Sequence, residues 1–518
     1  MEGEDLLHRS LLMGEVLART SRQFPGRVAL IEGERQITYG DYNRLVNRYA
    51  NGLLALGIKP GEHVAVWMYN SIELTALMFA VTKAGATAVP LNFRYNARDA
   101  AYVIDQSDAV AVLAGAEFTE ILREIRPELP KVLHFLLAEG SLGAGSLPLE
   151  ELLQAPDDEP VHPVDMLAPA IILYTSGTTG QPKGAVLSHL AVVTNALTMP
   201  MVAGFRSGDV YLNAVPLFHV GFICFFLAHI LVGGTVVIMR AFDPSGAAQA
   251  IERHKVTTVW FVPTMAISFL AQDGFSGYDF SSLRIWNSGG AILPTELRAR
   301  IMRTFPNARI NDVFGMTETA SVTTLLPHED GLRKSACVGL PIPTVEVRVV
   351  DEEDRDVPQG APGEIVYRGP TIMTEYYKLP EATARAMRGG WFHAGDIVRQ
   401  DEEGYVYVLD RKTDMIISGG ENIFPREVEE VLFQHPAVLE AAVIGVADEH
   451  WGEAVKAIVA LKPEHEASAE ELMEFCAERL SRYKKPRSVE FVPSLPRNAS
   501  GKVLKTALRK SFGAKAGY

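Results

Sequence analysis

From about residue 10 to 325, short apolar runs alternate with stretches whose apolar residues recur at helical spacing. The runs 63–67 (His-Val-Ala-Val-Trp), 109–113 (Ala-Val-Ala-Val-Leu) and 257–262 (Thr-Thr-Val-Trp-Phe-Val) have the length and β-branched content of buried strands. Strands of that kind separated by helices predict α/β layers with largely parallel sheets. From about 335 to 410 the pattern becomes an apolar–polar alternation, as in 345–350, 363–367 and 404–409, broken by turn residues. That predicts a β-rich subdomain. After Asp410-Arg411-Lys412-Thr413-Asp414 a new unit begins. Pro425 fits the first position of a helix with Val428, Val431 and Leu432 on one face, and strands follow at 438–446 and 454–461. Ser468-Ala-Glu-Glu471 is a capping box that opens a second helix, striped by Leu472, Phe475, Cys476 and Leu480, and a last strand lies near 489–492. The predicted fold class is α/β, with a large N-terminal domain over 1–411, including the β-rich part at about 335–410, and a small α+β domain over 412–518. No internal repeat or low-complexity tract interrupts it.

The run 222–239 is apolar except for His229 and Thr235, and at 18 residues it approaches membrane-spanning length. Gly233-Gly234 divides it into a helix-like first part and a β-branched second part, which predicts two buried elements joined by a turn. At 518 residues the chain is too long for a single core. A net charge of −14 leaves no basic excess for nucleic acid. The cysteines (Cys224, Cys337 and Cys476) are scattered and lack metal-ligand spacing, which fits buried thiols in a reducing compartment. Met1-Glu-Gly-Glu-Asp is wrong for a secretory or transit signal, and the carboxyl end carries no prenylation or peroxisomal signal. A cytoplasmic protein without a transmembrane segment is expected; oligomeric state leaves no mark in the sequence.

The most specific chemistry lies in Tyr174-Thr-Ser-Gly-Thr-Thr-Gly-Gln-Pro-Lys-Gly184. Glycines turn backbone N–H groups inward, hydroxyls add donors, and Lys183 adds a mobile positive charge, so the segment is suited to phosphate. Its spacing is not that of a P-loop, because Pro182 precedes the lysine and Gly184 follows it. The flanks are apolar strands, which predicts a loop that holds polyphosphate without a helix dipole. Asn287-Ser-Gly-Gly-Ala-Ile-Leu-Pro294 serves equally the close approach of a flat ligand or a plain strand-to-helix turn. Asn311-Asp-Val-Phe-Gly-Met-Thr-Glu-Thr319 sets an aromatic that can stack a purine near a carboxylate that can hold magnesium, though an ordinary loop is as good a reading. Asp396, ending Trp391-Phe-His-Ala-Gly-Asp, suits a ribose diol or a turn, and Lys502 follows a glycine on a polar loop.

Taken in order along the chain, these segments closely resemble the adenylate-forming enzymes, over about residues 10 to 510. Ile417-Ser-Gly-Gly-Glu-Asn-Ile423 resembles the acyl-CoA synthetase branch in particular, with fatty-acid and aryl-CoA ligases as members. The resemblance implies ATP, Mg²⁺ and coenzyme A as cofactor and co-substrates, together with a small carboxylic acid. Thr175, Ser176, Gly177, Thr178, Thr179 and Gly180 would wrap the β- and γ-phosphates with Lys183. Gly289, Gly290 and Ala291 would lie along the adenine and Phe314 would stack on it, with Asp312, Gly315 and Met316 of the same segment at the nucleotide. Thr317 would touch the α-phosphate, Glu318 and Thr178 would hold the metal, and Asp396 and Arg411 the ribose. Lys502, Glu318 and His219 are the candidate catalytic residues, Lys502 bridging the substrate carboxylate and the α-phosphate. Ser418, Gly419, Gly420, Trp451 and Lys484 would serve CoA. The chain stops sixteen residues after Lys502, so free CoA rather than a fused carrier is the expected acceptor. The small domain would pivot at Lys412-Thr413, where relatives often carry a charge in place of Thr413. His219, Phe222, Phe261, Ser288, Thr319 and Ala320 are the expected neighbours of the acid. None offers a charge for a second carboxylate, so an apolar monoacid is implied, a fatty acid first and a benzoate- or cinnamate-type acid as the alternative.

Overall fold

The computed structural model describes residues 11–160, 164–175, 181–272, 274–334, 336–418, 421–448, 450–463, 465–497 and 503–513. They form two compact units, one running to Glu346 and resuming over Tyr367–Phe392, the other comprising Val347–Val366 and the chain from His393.

The first unit contains two large sheets, of eight and nine strands. In the eight-stranded sheet, Thr87–Pro90, His63–Trp67, Ala109–Ala114, His134–Leu137 and Ser146–Pro148 run parallel. The side chains of the first four are nearly all buried, as expected of strands covered on both faces, and those of Ser146–Pro148 at the edge are largely exposed. Pro169–Thr175 joins this sheet parallel to Thr87–Pro90 and pairs antiparallel with Lys183–Ser188, which carries Glu375–Tyr376 at the sheet's edge. In the nine-stranded sheet, Val28–Glu32, Thr235–Ile238, Val210–Asn213, Thr258–Trp260, Ile285–Gly289 and Arg309–Met316 are parallel neighbours. Ser321–Leu326 and Leu340–Pro341 extend it antiparallel. One face of this sheet is packed with Phe261, Phe269, Trp286 and Phe305, each contributing about 2–3 kcal/mol by leaving water. The run 222–239 resolves as expected into buried helix (Phe222–Leu227 in π form, then Ala228–Leu231), a turn at Gly233 with φ +68°, and the strand Thr235–Ile238. Among the described residues no helix is long and apolar enough to cross a membrane.

A polar clasp fixes the approach to the phosphate hairpin. Asn47 and Asn51, one turn apart on the helix Tyr39–Ala55, donate to the carbonyls of Asp157, Pro156 and Asp158 at 2.9 Å. Buried Lys83 donates to Asn43 and Asn47 and pairs with Glu159 at 2.6 Å. Burial pulls the Lys83 amine below its ordinary range, and the carboxylate with two amide oxygens supplies the contacts a buried charge requires.

The strands Glu346–Val350, Gly363–Arg368, Trp391–Gln400 and Val406–Arg411 belong to one sheet, of which the second unit holds 347–350, 363–366, 393–400 and 406–411. Another sheet comprises Glu421–Ile423, Ile416–Ser418, Gly452–Leu461, Val438–Asp448 and Ser488–Phe491. The helices Pro425–Leu432 and Ala469–Ala477 cover it through Val428, Leu432, Leu472 and Cys476. The Ser468–Glu471 capping box forms as predicted.

Candidate active site

The strands flanking the phosphate segment make a hairpin in which Tyr174 faces Gly184 and Thr175 faces Lys183. A side chain on Gly184 would meet Ile172 at 2.7 Å and the Tyr174 ring at 3.0 Å, so glycine lets the two strands close. Ser176, Gly177, Thr178, Thr179 and Gly180 lie outside the described residues. Thr175 and Lys183 bracket them, and the flanks are strands, as the sequence predicts. The Lys183 ammonium lies 5.2 Å from the centre of the Tyr376 ring. The Tyr376 hydroxyl donates to Glu318 Oε1 at 2.9 Å. Strand pairing of Tyr376 with Ala185, and Met373 N–H donating to the Glu318 carbonyl at 2.8 Å, tie this arrangement together. Tyr376 thus touches both the lysine of the phosphate hairpin and the candidate metal carboxylate.

Gly289–Ala291 and Phe314–Met316 sit at the carboxyl ends of adjacent parallel strands, where open α/β sheets bind ligands. Gly289 has no room for a side chain, since a Cβ would stand 2.7 Å from Val313 and 3.2 Å from the Trp260 indole nitrogen. At Gly315 a Cβ would fall 1.7 Å from the Ser321 carbonyl, so glycine alone allows these antiparallel strands to meet. Phe314 is half-buried. Thr317–Thr319 is a single 3₁₀ turn, closed by Ala320 in the left-handed region at φ 53°. Thr317 is buried in that turn, whereas Glu318 is half-buried. The Thr319 hydroxyl is spent within the turn, donating to the carbonyls of Met316 and Ser321 at 3.0 Å.

His219 lies on the loop between Val210–Asn213 and the π-helix. Buried Asn70 holds that loop by donating to the Val215 carbonyl and accepting from Leu217 N–H, both at 2.8 Å. Burial, assisted by the Arg94 guanidinium, pushes the His219 imidazole down to about 4, so it is neutral at pH 7.

Strand parity separates the other expected neighbours of the acid. Phe261 and Val259 point into the aromatic core with Trp286, and Ser288, two residues after Trp286, shares that face. Phe222 packs against Phe79 and Phe226. Asp312, in register with Ser288, forms a buried ion pair with Arg298 at 3.4 Å. Strand parity therefore puts Phe261, Ser288 and Asp312 on the face opposite the one that carries Gly289. Trp260 occupies the Gly289 face. It registers with Asn287, and its indole stacks on Phe225 with centroids 4.5 Å apart. Trp260 and Tyr376 escape a reading based on motifs. The signal for Trp260 was its place at the end of a parallel strand, one residue before Phe261.

In the second unit, Asp396 and Arg411 face each other on paired strands and join at 2.8 Å, with Asp396 buried. Arg411 also donates to the Ala394 carbonyl at 2.9 Å. Close by, Lys412 pairs with Glu364 at 3.2 Å, and Gly395 N–H donates to the same carboxylate at 3.2 Å. Ser418 is buried and pairs with Gly452, which brings it beside Trp451. Trp451 is 37% exposed, and the Arg487 guanidinium lies 4.8 Å from its ring. Lys484 is held by both oxygens of Glu427, at 2.7 and 2.8 Å. Gly419, Gly420 and Lys502 lie outside the described residues.

Comparison with known proteins bears on the fold and the reaction. Residues 17–377 match the family model described as AMP-binding enzyme, and residues 427–502 match the model of that family's C-terminal domain. A feruloyl-CoA synthase of Amycolatopsis sp. is 38% identical over 97% of this chain and 99% of its own length. The long-chain-fatty-acid–CoA ligase FadD13 of Mycobacterium tuberculosis is 36% identical over the same shares. The crystal structure of the anthranilate CoA ligase AuaEII with anthranoyl-AMP superposes with a TM-score of 0.89 at 29% identity, over 96% of this chain and 97% of that one.

Proposed function

The chain belongs to the AMP-binding enzyme family, and from that premise we propose a substrate class and a role for each residue of its site. It is an adenylate-forming acyl-CoA ligase. A carboxylate attacks the α-phosphorus of ATP, the bond to the β-phosphate breaks, and acyl-adenylate and pyrophosphate result. The CoA thiolate then attacks the acyl carbon, AMP leaves, and a thioester remains.

In our reading, Thr175–Gly180 and Lys183 hold the β- and γ-phosphates. Gly289, Gly290, Ala291 and Phe314 hold the adenine, and Asp396 with Arg411 holds the ribose. Lys502 offsets the repulsion between carboxylate and α-phosphate. Magnesium fits at Glu318: Tyr376 engages one oxygen of a half-buried carboxylate, and magnesium needs only one or two carboxylates beside phosphate oxygens. When bound it offsets charge on the polyphosphate. Ser418–Gly420, Trp451 and Lys484 serve CoA, the small carboxyl-terminal domain pivots at Lys412-Thr413, and the domains divide at 411/412. We assign the enzyme to the cytoplasm.

The acid is an apolar monocarboxylate, and one observation carries that reading. The sheet face beside Gly289 carries Trp260 and Val313, with Gly221 of the π-helix N-terminus against the indole; these residues offer no charge to a second ionised group. Feruloyl-CoA synthase and FadD13, the relatives named above, take an aryl and a long-chain acid by their names, so both classes belong in the test. AMP release from ATP is measured across fatty acids of increasing length and across benzoate and cinnamate types, with and without CoA. We expect AMP to require both acid and CoA; release of ADP, or the best rate with a dicarboxylate, would reject the assignment.

A further inference from the structure

We propose that Trp260 is a specificity-determining residue, walling off the acid site so that it takes a compact, ring-bearing carboxylic acid and excludes a long alkyl chain. The inference rests on the acyl-CoA ligase reading above, and on the face beside Gly289 as the acid site.

Two glycines lie opposite each other across this site, Gly221 before the π-helix and Gly289 at the end of its strand. Neither glycine puts a side chain into the space between helix and sheet, which is left to a residue that reaches both. Trp260 fills it. A Cβ on Gly221 would stand 2.6 Å from the six-membered ring of the indole, and a Cβ on Gly289 would stand 3.2 Å from its nitrogen. The indole therefore spans from one glycine to the other. Phe225 backs it, stacked at 4.5 Å and an interplanar angle of 22°, and is itself fully buried. Only 7% of Trp260 remains exposed. A stacked pair of aromatic rings braced by a core is a wall that a methylene chain cannot displace cheaply, because interiors are packed as densely as crystals. Beside such a wall a flat ring can pack against aromatic surface, an arrangement that aromatic pairs favour.

The test measures kcat/KM for CoA-dependent AMP release with benzoate, cinnamate, decanoate and palmitate. It uses wild-type enzyme and the variants Trp260→Ala, Trp260→Leu and Trp260→Phe. Wild type is expected to prefer the ring acids over palmitate by at least about tenfold, the scale at which a pocket discriminates by shape. Trp260→Ala is expected to raise palmitate activity about tenfold or more and to lower cinnamate activity, with the KM for ATP unchanged. Trp260→Leu keeps the space partly filled and reads the same shift in smaller measure should the alanine variant not fold. Trp260→Phe, which preserves a ring, keeps the wild-type order. Wild-type preference for palmitate, or one chain-length profile shared by wild type, Trp260→Ala and Trp260→Leu, would overturn the role of Trp260 while leaving the ligase assignment intact. Wild type that releases no AMP with any acid would bring down that assignment, and this inference with it.

Discussion

At the scale of single residues, the chemistry depends on contacts that no motif records. Glu318 was legible as a candidate metal ligand because a carboxylate follows an aromatic and a glycine. The residue that aims it was not, since Tyr376 lies 58 positions away and arrives through strand pairing. Strand parity also separates two residues that the motifs do not distinguish. Trp260 and Phe261 are adjacent and both aromatic, so composition ranks them alike, but alternation turns one towards Gly289 and the other into the core. The Tyr376 hydroxyl has a measurable consequence. A hydrogen bond to a charged group contributes about 1.5–3 kcal/mol, and here it engages Oε1 of Glu318, the carboxylate proposed to hold the cation. Tyr376→Phe is expected to raise the magnesium concentration giving half-maximal pyrophosphate exchange about tenfold, with the KM for CoA unchanged. Equal loss at every magnesium concentration would instead assign Tyr376 to packing.

At the scale of elements, the sequence was most readable where backbone demands are strong. The hairpin around the phosphate segment, the divided run 222–239 and the Ser468 capping box all follow from local pattern. The demand at Gly315 is as strong, but it was visible only as part of a motif. With a Cβ 1.7 Å from the Ser321 carbonyl, the strands Arg309–Met316 and Ser321–Leu326 cannot both keep their register. Gly315→Ala is expected to cost about 3 kcal/mol, seen as a lower urea midpoint. Gly277→Ala, with nothing within 4 Å of the new Cβ, serves as the near-neutral control. Buried histidines add a dependence on pH. His189, His219 and His229 are each pushed from 6.5 down to about 4 by burial. The unfolded chain therefore binds more protons than the folded one between about pH 6.5 and 4, and stability is lost as pH falls through that window. From pH 7 to 5.5 the loss is about 1 kcal/mol per histidine. His189 also accepts from Met13 N–H at 3.2 Å, a contact the amide oxygen of His189→Gln can retain. That variant is expected to show a shallower fall of the urea midpoint over the same interval; an unchanged slope would remove His189 from the balance.

At the scale of the whole molecule, the order of motifs along the chain was legible and carried the family, whose models match residues 17–377 and 427–502. The grouping of the chain was less so: Val347–Val366 clusters with the carboxyl-terminal part, whereas Tyr367–Phe392 returns to the first unit. Alternating strands look alike in sequence whichever sheet they join. A reaction in two steps asks more of such a chain than of a single rigid site, since adenylation needs a cation between two anions and thioester formation needs a path for a thiol. In the proposed reading Lys502 supplies that cation in the first step and takes no part in the second. Removing one preorganised electrostatic group costs roughly 3–4 kcal/mol of transition-state stabilisation, so Lys502→Ala is expected to slow adenylate formation about 100- to 1,000-fold. Thioester formation from supplied acyl-adenylate and CoA is expected to stay within about threefold of wild type, well under the 1.4 kcal/mol that a tenfold change represents. Rapid-quench measurement of each half-reaction separates the two. If both fell together, Lys502 would act on the fold or on a step common to both, and a division of labour between two faces of the carboxyl-terminal domain would have to be abandoned.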